Sequence, residues 1–205
     1  MLRLAPLVAA VLLLPALARA ATYDIDPAHT NTEFKVRHMM ISWVRGQFQK
    51  VGGTIEYDPR HVQATRIDAT IQTGTVDTRN GMRDNDLKSP KFFDVQKYPT
   101  MTFVSTKAVR AGKDKLKVTG KLTIRGVTKT VVLDVTGPTA EVQDPWGNTR
   151  IGASATTTID RRDFGLVWNQ ALEAGGVLVG DKVMISLDVE ATKAKAVNAA
   201  APGKK

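Results

Sequence analysis

The chain's whole stock of imidazole is His29, His38 and His61, and it contains no cysteine. A mononuclear metal centre needs three or four converging ligands. No HxH or HxxxH pair or thiolate accompanies these histidines, so no metal site is expected. His29 and His38 could meet across a strand bend, where a hydrogen-bonded structural role is the simpler expectation. Two charged clusters, Arg83-Asp84-Asn85-Asp86 and Arg161-Arg162-Asp163, could set a guanidinium against a polar head group or an acid for proton transfer. Ion pairing and capping that fix a helix against its neighbours would use the same residues. No Gly-x-Ser-x-Gly elbow, phosphate-cradling loop or paired-carboxylate motif occurs. The run Ala174-Gly175-Gly176-Val177-Leu178-Val179-Gly180 is that of a flexible apolar loop, since no Lys-Ser/Thr follows it. No catalytic residue and no cofactor is assigned.

Apolar side chains stand where loops are ordinarily polar: Met39-Met40-Ile41-Ser42-Trp43-Val44, Phe92-Phe93 and Leu166-Val167-Trp168. Exposed patches of this kind mark a ligand or membrane contact, and Met and aromatic groups suit a flexible apolar guest. A hydrophobic plug without a guest would have the same composition.

The elements that must position these residues are strands. Leu116, Val118, Gly120, Leu122 and Ile124 alternate with Lys115, Lys117, Thr119, Lys121 and Thr123, the period of two that gives a strand one dry and one wet face. Val183, Ile185, Leu187, Val189 and Ala191 alternate with Met184, Ser186, Asp188 and Glu190, and Ile67, Ala69 and Ile71 do so with Asp68, Thr70 and Gln72. Turn chemistry at Gly52-Gly53, Asp58-Pro59, 111–114, Arg125-Gly126, Gly137-Pro138 and 144–148 separates the runs. About eight antiparallel strands result, near 31–39, 45–57, 62–74, 100–110, 114–124, 127–142, 149–160 and 181–192, with one helical piece near 80–93. Ser89-Pro90 could begin a second short turn.

Such a set closes as a sandwich or a barrel. The face of Ile151, Ala153, Ala155, Thr157 and Ile159 is small at its middle, where a filled core would carry Leu or Phe. Eight strands make a barrel whose interior either just fills or holds one small ligand, so this face is either a cavity wall or the seat of large side chains from opposite strands. An outer-membrane barrel is disfavoured, because the face of Lys115, Lys117 and Lys121 would meet lipid and the sequence ends in Gly203-Lys204-Lys205 rather than an aromatic-tipped strand.

Residues 1–20 read as a cleaved secretory signal peptide, with Arg3, an apolar run from Leu4 to Leu17 and Ala18-Arg19-Ala20 before Ala21. Their removal leaves 185 of 205 residues, one domain at 21–192, and loses Arg3 and Arg19, which lowers the formal charge from +9 by two, to +7. The expected location is the periplasm. An exported protein without cysteine has no disulfide scaffold, and its basic charge reads as a solvated cationic surface, one that also suits anionic membrane faces, rather than as a nucleic-acid site. The Ala- and Lys-rich stretch 193–205 is expected to be a disordered tail.

Across Tyr23 to about Ala191 the sequence resembles the YceI-like family. The resemblance is carried by Tyr23-Asp24-Ile25-Asp26-Pro27-Ala28-His29-Thr30, Phe34-Lys35-Val36-Arg37-His38, Gly46-Gln47-Phe48, Arg83-Asp84-Asn85-Asp86-Leu87-Lys88-Ser89, Phe92-Phe93-Asp94, Lys97-Tyr98-Pro99-Thr100, 120–129 and Arg162-Asp163-Phe164-Gly165. It implies an all-β, lipocalin-like, eight-stranded antiparallel barrel whose lumen takes polyisoprenoid chains such as isoprenoid quinones. Many members carry His where this chain has Asp86, so that position receives no role, and the family supplies no catalytic set. On this reading Phe34, Val36, Ile71, Phe103, Leu122 and Ile159 line the lumen, and Trp43, Phe93, Phe164 and Trp168 shape its mouth. The expected partners are the polyisoprenoid or quinone ligand and, transiently, a membrane surface or a membrane cytochrome, with no nucleic acid; a homodimer is left open. Two alternatives stand beside the carrier: an enzyme acting on an isoprenoid or amphiphile through Arg83, Asp84 or His38, and a stress-related scavenger of small hydrophobic molecules.

Overall fold

The computed structural model describes residues 20–173 and 175–195. Residues 1–19 of the span read as a signal peptide, residue 174, and residues 196–205 of the expected tail lie outside the described residues. In chain order the elements are β1 (Ala21–Ile25), β2 (Asn31–His38), β3 (Ser42–Phe48), β4 (Val51–Tyr57), β5 (Arg66–Gln72), β6 (Val76–Asp77), α1 (Gly81–Lys88), β7 (Thr100–Gly112), β8 (Lys115–Ile124), β9 (Val127–Thr136), β10 (Val142–Gln143), β11 (Thr149–Asp160) and β12 (Val179–Lys193).

The sheet closes on itself. β12 pairs with β1 and β2 along one edge and with β11 along the other, while β1, β4, β5, β7, β8, β9 and β11 follow one another as hydrogen-bonded neighbours. β1 with β2, β3 with β4 and β5 with β6 are three bent courses, so the wall is an eight-stranded antiparallel barrel. Closure removes the exposed sheet edges that invite aggregation. The seams are unequal: β11 meets β12 over eleven residue pairs, from Arg150↔Thr192 to Asp160↔Lys182. It meets β9 over three, Ser154↔Thr136 to Thr156↔Asp134.

The alternation read from Lys115 to Ile124 is realised in full, with Leu116, Val118, Gly120, Leu122 and Ile124 buried and their neighbours at least half-exposed or outward. Ile151, Ala155 and Ile159 likewise face in. Several boundaries differ from expectation. A first strand, β1, precedes the expected one, and the span 62–74 is a strand at Arg66–Gln72 flanked by two 3₁₀ turns. The span 127–142 ends as a strand at Thr136, ahead of Gly137-Pro138. The helix stops at Lys88, and Ser89 to Lys97 continue as turns. β12 runs to Lys193 and the Ala194 N–H donates to the Thr22 carbonyl at 2.8 Å, so residues 193 and 194 belong to the barrel rather than to a tail. Gly52-Gly53, expected to turn, sits inside β4: a side chain on Gly53 would lie 2.0 Å from the Asp68 carbonyl oxygen, so glycine here admits close approach of β5.

The barrel has two ends. Residues 58–65, 113–114 and 137–148 connect strands at the lower end; 39–41, 73–99, 125–126 and 161–178 connect them at the upper end. α1 therefore lies at the upper end, started by Asn80, whose side chain accepts the Arg83 N–H at 3.0 Å.

Candidate ligand-binding site

The interior is neither filled throughout nor open throughout. Inward residues of β7 and β8, among them Met101, Phe103, Val118 and Leu122, are buried. Inward residues of β5, β9 and β12, among them Ile71, Val131, Val183, Ile185 and Leu187, are only partly buried although they face the core. Two glycines admit aromatic rings: a Cβ on Gly120 would meet the Phe103 ring at 2.4 Å, and one on Gly46 would meet the Phe34 ring at 2.5 Å.

At the upper end the β2–β12 seam, where Val36 pairs with Val183 and Phe34 with Ile185, adjoins an apolar pocket of about 410 Å³, within the range of small-molecule sites. Phe34, Val36 and His38 of β2, with Arg37 between them, and Val44 of β3 form one side; Asn80 and Met82, Arg83, Asp86 and Leu87 of α1 form another; Phe92, Trp168, Leu178 and Val179 complete it. Strand alternation accounts for the first side, since 34, 36 and 38 share a face and Val44 stands opposite Val36. Phe92 and Trp168 pack with ring centroids 5.3 Å apart, bridging the segment after α1 to the 161–178 connection.

The charged clusters hold this architecture. Asp84 accepts from the Thr78 N–H at 2.9 Å and from its hydroxyl at 2.6 Å, while Arg83 donates to the Thr78 hydroxyl and carbonyl oxygens at 2.7 and 2.8 Å. These bonds tie α1 to the chain leaving β6. Asp86 pairs with Lys91 at the surface. Arg161, 5% exposed, donates to the carbonyls of Gly180, Leu166, Trp168 and Val179 and to Asp181. Burial pushes its pKa below the usual arginine value, and the carbonyl dipoles satisfy its donors. Arg162 is exposed and pairs with Asp160, whose carboxyl it holds well below the usual range.

The histidines do not converge. His38 lines the pocket, His61 lies 3.0 Å from Asp58, and His29 lies 2.9 Å from Asp26. Asp26, His29 and Glu190 offer ligand atoms within 4.8 Å of one another. The cation there is Arg150, 2.7 Å from Asp26, 2.5 Å from Glu190 and 2.8 Å from Asp144.

Of the residues expected to form the site, Phe34, Val36 and Trp168 meet at the pocket. Ile71 is a partly buried inward residue, whereas Phe103, Leu122, Ile159 and Phe164 are core. Phe93 is partly buried and turns inward onto Phe48, 5.4 Å between centroids, leaving the pocket to Phe92. Trp43 requires a correction. It pairs with Arg37, an outward position of β2, and lies on the outer face with Arg37 4.6 Å and Lys35 5.2 Å from its ring. Missed residues include His38 and Val44, which the alternation of Phe34 and Val36 would have supplied. Met82, Leu87 and Leu178 carried no comparable signal.

The chain matches the family model described as a YceI-like domain over residues 23–191. A UPF0312 protein of Vibrio cholerae is 39% identical over 160 residues, 77% of this chain and 84% of that protein. The crystal structure of Burkholderia cenocepacia BcnA superposes with a TM-score of 0.70 at 27% identity, covering 82% of this chain and 99% of the other. A Saccharophagus degradans domain described as polyisoprenoid-binding has the same fold, with a TM-score of 0.62 at 13% identity over 86% of this chain and all of that domain.

Proposed function

The chain belongs to the YceI-like family, and from that premise we propose that it is a carrier that sequesters or transports a polyisoprenoid lipid or isoprenoid quinone in the barrel, in the periplasm after export. The observation that carries this reading is the apolar pocket at the upper end, set against inward walls that remain accessible: Phe34 pairs with Ile185 and Val36 with Val183 across the β2–β12 seam. The description of the Saccharophagus degradans domain as polyisoprenoid-binding supports the ligand class. An apolar chain gains about 25 cal/mol per Å² buried, so such a wall holds a prenyl tail without strong polar contacts, and tolerance of chain length follows.

Binding rather than turnover fits the polar groups around the pocket. Arg83 and Asp84 are spent on Thr78, and His38 lines the pocket without a carboxylate partner among the described residues.

Native mass spectrometry of protein taken from its own periplasm, followed by lipid extraction, is the test. An isoprenoid of defined mass bound one to one is expected, and Trp168→Ala should weaken its retention at least tenfold. Protein that emerges empty and takes up neither ubiquinone nor a polyprenol from detergent would overturn the reading.

A further inference from the structure

Around the pocket mouth several large apolar side chains point to solvent. Ile41 is 78% exposed, Met82 83% and Val167 65%, with Met39 and Met40 exposed beside them and Trp43 exposed on the outer face of the same hairpin. Single exposed apolar residues are ordinary; here they gather at one end of the barrel around one opening. Met39 and Met40 connect β2 to β3, Met82 lines the pocket itself, and Val167 precedes the pocket residue Trp168.

The backbone makes the grouping more telling. Met39 and Met40 have φ of 50° and 62°, the left-handed region that tight hairpin connections usually fill with Asn and Gly. Two consecutive methionines there strain the turn while staying 39% and 44% exposed, with the Met40 methyl against Gly180. Strain retained at an exposed position points to a use for the side chains.

The charge around the tip identifies the partner. Lys35 and Arg37 flank the Trp43 ring. Arg45, Arg79 and Arg83 line an adjoining polar pocket of about 340 Å³ that also holds Glu33 and Asp77. Lys91 stands by Trp168, with Asp86 as its ion partner. Flexible apolar side chains, an interfacial Trp and a surplus of basic groups match the boundary of an anionic bilayer. We propose that the β2–β3 tip, with Met82 and Val167, is a docking surface for an anionic lipid bilayer, set so that the pocket mouth faces the membrane. This deepens the carrier reading and rests on it for its purpose: docked in this way, an isoprenoid passes between bilayer and barrel without crossing water. The far end serves as an internal comparison. Trp146 there is 80% exposed and Val142 62%, but the acids beside them, Glu141 and Asp144, are paired with Lys193 and Arg150, so this end sets its apolar side chains among neutralised ion pairs.

The test is co-flotation of the purified protein with phosphatidylcholine vesicles containing about 30 mol% phosphatidylglycerol, against phosphatidylcholine alone. The wild type should float with the anionic vesicles and dissociate as salt rises. The triple variant Met39→Asn/Met40→Gly/Ile41→Thr, whose turn suits the backbone better, should keep or raise Tm and lose vesicle binding about tenfold or more. Ile41→Ser alone, free of any backbone change, should lose part of it. Lys35→Gln/Arg37→Gln should lower binding to anionic vesicles, about fivefold per charge, and Trp146→Ser should change nothing. Wild-type protein that stays in solution, tip variants that float as well as it does, or loss of binding in Trp146→Ser would each overturn the proposal. So would binding only to a membrane protein added to the vesicles. Loading with ubiquinone in detergent separates the two readings: the Met39/Met40/Ile41 variant loading normally but not floating supports docking, whereas a wild type that floats but never loads keeps the docking surface and removes the carrier.

Discussion

Arg150 and Arg161 fasten opposite ends of the barrel by opposite means. At the lower end Arg150 lies among three carboxylates, those of Asp26, Asp144 and Glu190, its pKa raised above the usual value chiefly by Asp144. At the upper end Arg161 is buried, faces four backbone carbonyls and one carboxylate, and has its pKa lowered by desolvation. The difference teaches that the two ends answer to different conditions. Carboxylates titrate and are screened by salt; carbonyls do neither.

The largest effect is expected from breaking the upper fastening. Arg161→Met leaves buried carbonyls without donors and should cost about 3–5 kcal/mol, measured by urea unfolding. Because the 161–178 connection carries Phe164, Leu166 and Trp168, ligand retention should fall with it. Arg150→Met should lower Tm by roughly 5 °C and leave ligand retention in the folded protein unchanged. A loss of binding equal to that of Arg161→Met would erase the distinction between the ends.

Acid sharpens the same comparison. Asp26 is held at about 2, first by its hydrogen bond from Arg150 and then by His29, and Asp58 and Asp144 are also held well below the usual carboxylate range. A depressed carboxyl contributes stability that is complete above its unfolded pKa and is lost as pH falls through the folded value. Thermal stability should therefore be flat near neutrality and decline from about pH 4 toward pH 2. Hydrogen exchange should show the amides around Glu190 loosening before those around Gly180. Arg150→Met should flatten that decline. The smallest effect belongs to His29→Ala, whose exposed contact with Asp26 is worth less than about 1 kcal/mol by thermal melt.

Much of the wall was legible in the sequence because a half-buried strand declares itself through alternation. The dry and wet faces of residues 115–124 and 183–191 stand in the sequence as they do in the barrel, whereas the place of Trp43 opposite Arg37 is set by strand register. What stayed hidden depends on three-dimensional approach. Nothing local marks Gly53 as the point where β5 passes within 2.0 Å of a would-be side chain. Phe92 and Phe93 are indistinguishable in sequence, yet one faces the pocket and the other stacks on Phe48. Arg161 and Arg162 are equally alike, and only the 3₁₀ turn from Arg161 to Phe164 sends the first inside and the second to water.

The position of β12 in the wall has a consequence for the order of events during synthesis. Among the described strands it is the latest to leave the ribosome, and three others, β1, β2 and β11, wait for it. Until residue 193 has emerged the circle stays open, with long edges of the earliest-made strands unpaired. A chain built in this way stays an incomplete ribbon while most of its strands are made, and gains its closed shape only once β12 is free to join both sides.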